Sequence, residues 1–252
     1  MSSGRVFLAL ETTAAVASIA VAVGGEVRAT GWLTRRREHA AGLLARIEST
    51  LDEAGIGRGE IEGVLVGRGP GSFTGIRIGV ATAMGLATGL GVPLYPCSSL
   101  MAAAVPGPGV RPGVLPSAAS PVGAAPPDAR FPRYVLFDAR SDRVYAACYS
   151  VLPEQIVTLV EPRASTIGAV LGRPVPDRAC FCGDGALRSA TRIREAGHPL
   201  LPLPYGFPTA EGLVRLHALS GVPPVDARGF EPEYLRSPVA FPSASDRSRN
   251  CE

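Results

Sequence analysis

The residues best placed to do chemistry lie in one run, Val64-Leu65-Val66-Gly67-Arg68-Gly69-Pro70-Gly71-Ser72-Phe73-Thr74-Gly75-Ile76-Arg77-Ile78-Gly79. An apolar stretch ends in glycines and a proline, and Ser72 then opens a segment with helical spacing, so the run reads as strand, tight turn, helix. Such a turn can aim backbone N–H groups at an anion, as in a phosphate cradle. It can equally be a crossover turn whose glycines let the helix pack close to the sheet. A lone glycine pattern is a weak motif, which favours the second reading. Ser72 fits the helix N-cap, where its hydroxyl accepts a bond from the first turn.

Other reactive groups are sparse. The chain carries 25 basic residues, all arginine, which excludes a Walker A lysine and Schiff-base chemistry. A net charge of +3 over 252 residues is no footprint for avid nucleic-acid binding. The five cysteines (97, 148, 180, 182 and 251) lack the spacing of a secreted disulfide framework, and Cys180 and Cys182 read as core thiols. Three histidines, His39, His198 and His217, are scattered. Two carboxylates, Glu11 and Asp138, each sit where an apolar strand gives way to a turn, and Gly183-Asp184-Gly185 follows a third. The N-terminal apolar run is too short for a signal peptide, and no 18-residue uncharged apolar stretch occurs. The expectation is a soluble, cytoplasmic protein.

The elements that must position these groups repeat. Strands are expected over Val6–Leu10, Val16–Val23 and Glu26–Thr34, a helix over Glu38–Ala54, a strand over Ile61–Gly67, a helix over Phe73–Leu90 and a strand over Val92–Cys97. From Ala102 to Arg130 the composition turns to alanine, proline, glycine and serine, which reads as a flexible loop or linker and as the natural domain boundary. Beyond it come strands at Tyr134–Asp138, Val144–Val151 and Gln155–Val160, a short helix over Ser165–Leu171, a strand at Ala179–Cys182 and a helix over Ala186–Ala196. A final helix capped by Thr209 is expected to run to Leu219. The fold class is therefore α/β, with two βββαβα halves: a domain at 1–101, a linker at 102–130, and a second domain at 131–252 whose last helix could pack back on the first. Along Phe73–Leu90, Gly75, Gly79, Ala83 and Ala87 form a stripe at spacing four beside Ile76 and Val80. Each interior glycine costs about 1 kcal/mol relative to alanine, so a close-approaching backbone is needed to explain them.

Leu8-Ala9-Leu10-Glu11-Thr12-Thr13, the helix with His39, the Gly67–Gly79 run, Pro96-Cys97-Ser98-Ser99-Leu100, Asp138-Ala139-Arg140 and Tyr234-Leu235-Arg236 together resemble the TsaB family. That family is the dimerisation subunit of the bacterial machinery that places threonylcarbamoyl on the adenosine beside the tRNA anticodon. The resemblance implies a duplicated fold of the actin, Hsp70 and sugar-kinase (ribonuclease H-like) type. It implies a noncatalytic role, pairing with and activating a TsaD-type transferase, with a TsaE-type ATPase in the full complex and tRNA met only through that complex. A homodimer is a further expectation, and no membrane partner is implied. The catalytic paralogue holds metal with a His-x-x-x-His helix; here His39 would be the first position, but position 43 is Leu43, so no metal site is expected. The partner interface implied is Leu43, Leu44, Ile47 and Leu51 on the first helix and Gly75, Ile76, Gly79, Val80, Ala83 and Ala87 on the second. Glu11, Thr12, Thr13, Asp138, Gly183 and Gly185 would be a vestigial nucleotide site, with no cofactor and at most weak ATP or ADP binding. The competing class is an enzyme of the same fold, a phosphotransferase, ATPase or peptidase-like protein, distinguishable by metal content and ATP turnover.

Overall fold

The structure, a computed structural model, describes residues 4–34, 39–105 and 131–232. The first half is β1 (Val6–Glu11), β2 (Ala17–Val23), β3 (Glu26–Leu33), α1 (His39–Ala54), β4 (Gly63–Gly67), α2 (Phe73–Leu90), β5 (Leu94–Cys97) and α3 (Ser99–Ala104). Its five strands lie in the order β3-β2-β1-β4-β5, with β1 antiparallel to β2 and parallel to β4. The second half is β6 (Arg133–Asp138), β7 (Arg143–Val151), β8 (Ile156–Thr166), α4 (Ile167–Leu171), β9 (Cys180–Cys182), α5 (Asp184–Arg188), α6 (Ala190–Glu195) and α7 (Ala210–Ser220). Its strands repeat the plan as β8-β7-β6-β9, again with the first strand antiparallel to the second and parallel to the fourth. The duplication expected from the strand pattern is thus present in the sheet order itself.

β1 shows why its sequence reads as an unbroken apolar run. Leu8 and Leu10 face α1 and α2 with Leu43, Ile47, Leu51, Ile76 and Val80, while Phe7 and Ala9 face α7 with Leu213, Val214 and Leu216. A strand covered on both faces has no polar side to alternate with. Around the second sheet, Leu100, Ala103 and Ala104 of α3 pack on Val135, Phe137 and Tyr149, and the other face packs on Ile167, Val170, Ala186 and Ile193.

Several expectations need correction. Ala102–Ala104, read as the start of a linker, belong to α3 and are buried between the sheets, because alanine suffices where two layers come close. The rest of that segment, 106–130, and Tyr234-Leu235-Arg236 lie outside the described residues. The third strand of the second half runs on to Thr166 through Pro162, which an edge strand tolerates. The helix expected over Ala186–Ala196 is two short helices that meet at Ser189.

Candidate functional site

The turn after β4 is built as the sequence suggests. Ser72 has extended backbone angles and its Oγ accepts from the Gly75 amide at 3.3 Å, while α2 stops at Gly91 in the left-handed conformation. Gly69 and Gly71 have φ of +105° and +158°, and the Gly69–Pro70 peptide is cis.

The glycine stripe of α2, however, faces inward. A Cβ at Gly75 would collide with the Thr12 carbonyl oxygen, and one at Gly79 with Thr12 Oγ1, which itself donates to the Gly75 carbonyl at 2.7 Å. The backbone that approaches so closely is the chain's own, at the end of β1. Ile76, Val80, Ala83 and Ala87 lie in the same buried cluster as Leu43, Ile47 and Leu51 of α1. Of the ten residues assigned to a partner surface, nine are therefore buried in this chain, and Leu44 alone is open, 55% exposed. The physical reason is that both helices bury their most apolar stripe against the sheet.

What α2 turns outward is a different stripe at the same spacing: Phe73, Arg77, Ala81, Gly85 and Gly89 are all exposed, and the Arg77 guanidinium sits 4.0 Å from the Phe73 ring centre. Added Cβ atoms at Gly85 and Gly89 would meet nothing within 4 Å. Among the described residues, no packing contact requires glycine there. The helix is 18 residues long with a mean hydropathy of 1.3, long and apolar enough to cross a bilayer by composition alone, yet only 33% of it is buried.

The residues assigned to a nucleotide site divide into three groups. Glu11 is fully buried beneath the turn: its carboxylate accepts from the Thr13 amide and from Ser99 Oγ, each at 2.8 Å, and it packs against Gly67, where a Cβ would strike it. Burial pushes its pKa up, and the hydrogen bonds from Thr13, Ser99 and Thr12 only partly oppose that. Thr12 is likewise sealed off by its bond to Gly75. Both are buried, and they tie the end of β1 to α2 and α3. Gly183 and Gly185 are packing glycines, since side chains there would meet the backbone of β6.

Thr13 and Asp138 do line a cleft of about 340 Å³ between the two halves, with Ser72, Phe73, Arg140, Tyr145, Asp184 and Phe207 among its walls. Asp138 pairs with Arg188 at 2.7 Å and accepts from the Arg140 amide at 2.9 Å. Asp184 accepts from the amides of Asp138 and Gly185, while partial burial holds its carboxyl above the ordinary value. Asp138, Asp184 and Arg140 thus put two carboxylates and one cationic side chain into the lining of the same cleft. Phe207, which follows the cis Leu203–Pro204 peptide in a loop, carried no signal in the sequence that would bring it here. Among the described residues no three His, Cys, Asp or Glu side chains gather as a metal site. Leu43, at the position of the paralogue's second histidine, is in the core. His217 packs edge-on against Phe7 and Tyr95, with ring centres 4.9 and 4.8 Å away.

Two sheets with the same strand order, joined across a cleft, define the actin, Hsp70 and sugar-kinase class of α/β protein. Comparison with known proteins narrows this. Residues 34–193 match the family model described as TsaD: tRNA N6-adenosine threonylcarbamoyltransferase. That is more than half of the chain, which therefore belongs to this family, and within it the resemblance is to TsaB. The chain is 39% identical over 97 residues to the tRNA threonylcarbamoyladenosine biosynthesis protein TsaB of Haemophilus influenzae, covering 38% of this chain and 41% of that protein. It is 39% identical over 94 residues to TsaB of Escherichia coli, covering 37% and 40%. These matches span about two fifths of each relative's length. The solved structure of YeaZ from Pseudomonas aeruginosa superposes with a TM-score of 0.69 at 25% identity, over 92% of this chain and all of that one. A second Pseudomonas aeruginosa structure, described as an uncharacterized protein with similarity to peptidase YEAZ, gives the same TM-score at 26% identity.

Proposed function

We propose that this protein is a noncatalytic subunit of a cytoplasmic machinery for tRNA threonylcarbamoyladenosine, pairing with and activating a TsaD-type transferase. In this reading a TsaE-type ATPase joins the full complex, tRNA is met only through it, and the subunit needs no cofactor, with ATP or ADP bound weakly at most. The similarity to TsaB proteins points to the pathway. The observation that carries the role is the outer face of α2. An apolar helix with an exposed outer stripe, and with glycines at 85 and 89 whose added Cβ atoms would meet nothing among the described residues, is suited to close approach by another helix. Leu44 on the neighbouring α1 and Phe73 extend that face with the two large apolar side chains most exposed on these helices. The pairing surface is thus Leu44, which the sequence already suggested, with Phe73, Ala81, Gly85 and Gly89 on the side of α2 opposite the suggested stripe. The same surface could also join two copies of this chain, which competition with the partner would reveal.

The test is affinity for the TsaD-type subunit of the same organism. Gly85→Leu adds four carbons to a close helix contact, and overpacking of about 1–3 kcal/mol corresponds to roughly tenfold to a hundredfold weaker pairing. Unchanged affinity for both Gly85→Leu and Leu44→Asp would remove this face from the interface. The cleft beside Asp138 favours one competing reading, an enzyme acting on a small molecule. Stoichiometric metal or ATP turnover by the isolated protein would favour it over the subunit role.

A further inference from the structure

α2 carries a single charged residue. Of the 18 residues from Phe73 to Leu90 only Arg77 is ionised, and it lies on the exposed outer stripe with Ala81 and Gly85, away from the buried stripe. Its guanidinium sits 4.0 Å over the Phe73 ring centre, so the ring covers one face of the cation. The N–H groups at the edge of that plane are left for another partner, and no ion pair takes them among the described residues. The cations of α1 and the turn after it differ: Arg46 pairs with Glu53, and Arg58 pairs with Glu48. α2 has no aspartate or glutamate to do the same for Arg77. When the outer face is covered, Arg77 loses its water, and that loss is offset only where the covering surface brings an opposite charge.

We propose that the partner's helix on the outer face of α2 sets an aspartate or glutamate against Arg77, both carboxylate oxygens accepting from the edge of the guanidinium. This rests on the pairing role proposed above and adds the chemistry that the partner must carry. Gly85 and Gly89 admit any helix with small side chains, whereas Arg77 discriminates, because a helix without the acid covers an unpaired cation. Arg77 precedes Gly85 by eight residues, about 12 Å along the axis, so the acid lies about two turns from the point of closest approach and fixes the register. A second copy of this chain meets the requirement poorly. Its α2 brings no carboxylate, Glu48 and Glu53 of its α1 are already paired, and Asp52 is the one acid of that helix outside an ion pair among the described residues.

The chain contains no lysine, so Arg77→Lys introduces its single side-chain amine. Carbodiimide coupling of the full-length variant, mixed with the TsaD-type subunit of the same organism, is expected to form an amide between that amine and one aspartate or glutamate of the partner, located by peptide mass spectrometry. Arg77→Gln should weaken pairing by about tenfold or more, the scale of a lost hydrogen bond to a charged group, and flatten its dependence on salt. Gly85→Leu, measured beside it, tests the surface itself. Weaker pairing in Gly85→Leu, with affinity and salt dependence unchanged in Arg77→Gln, leaves the surface standing and overturns the ion pair. If neither variant changes affinity, the surface and the ion pair fall together. Coupling that reaches only Asp52 of a second copy, or no coupling in a mixture where the Arg77→Lys protein still pairs, also overturns the proposal.

Discussion

Replacing Gly79 by alanine adds one carbon and decides whether the inner stripe of α2 serves the fold. A Cβ there falls closer to Thr12 Oγ1 than the 3.0 Å that real Cβ atoms respect, and that oxygen is held at 2.7 Å from the Gly75 carbonyl. Either Thr12 rotates and its bond, worth about 0.5–1.5 kcal/mol, is lost, or α2 is displaced from the sheet. Overpacking adds about 1–3 kcal/mol, and the better helix propensity of alanine returns about 1 kcal/mol. The net loss is about 1–3 kcal/mol, or roughly 2–12 °C in melting temperature for a chain of this size. Gly85→Ala is the internal control, because its Cβ enters open space and only the propensity gain applies, about +2–4 °C. Thermal unfolding followed by circular dichroism reads both. Equal shifts for the two variants, or a Gly79→Ala protein as stable as the parent, would refute the assignment of Gly79 to the chain's own core.

Glu11→Gln keeps the shape that Thr13 and Ser99 hold and removes the ionisation. Because burial raises the folded pKa of Glu11 above its ordinary 4.5, the folded state retains a proton that the unfolded state releases, so stability falls as pH rises from about 4.5 through the folded value. The Gln variant is expected to gain on the parent over that window, as read by melting temperatures from pH 4 to pH 8; a gap that stays constant with pH refutes it. Glu11→Ala, by contrast, should destabilise by about 1–3 kcal/mol in chemical denaturation, since it strands the Thr13 amide and the Ser99 hydroxyl. Cys97, Cys148 and Cys182 are buried thiols pushed up to about 12, so native-state alkylation at pH 8 should leave them unmodified as read by peptide mass spectrometry, and rapid labelling of any one would place it at the surface.

Where chemistry at the chain level fixes an outcome, the sequence was easily read. Ser72 as a cap and a helix ending at Leu90 follow from local turn chemistry, and the repeated strand order follows from apolar runs and their breaks. The direction in which a side chain points was harder. Glycines at spacing four mark close approach, but whether by a partner helix or by Thr12 depends on a contact 63–67 residues away in sequence. Glu11 ends a strand buried on both faces, so no alternation revealed that its carboxylate turns inward. The alanines of α3 escaped notice because composition weighs large apolar groups, whereas a thin interlayer is filled by small ones.

The placement of α7 has a consequence for how the chain is made. The face of the first sheet that carries Phe7, Ala9, Ala20 and Leu65 is closed by Leu213, Val214 and Leu216; the Ser18 hydroxyl waits for the Ala210 amide, and Leu94 pairs with Val225. During synthesis, the first sheet, complete at Cys97, therefore waits for its cover on this face until about a hundred and twenty further residues, through Ser220, have been delivered. At about 5–20 residues per second that interval lasts several seconds to tens of seconds, during which the apolar face that α7 later covers lacks that cover.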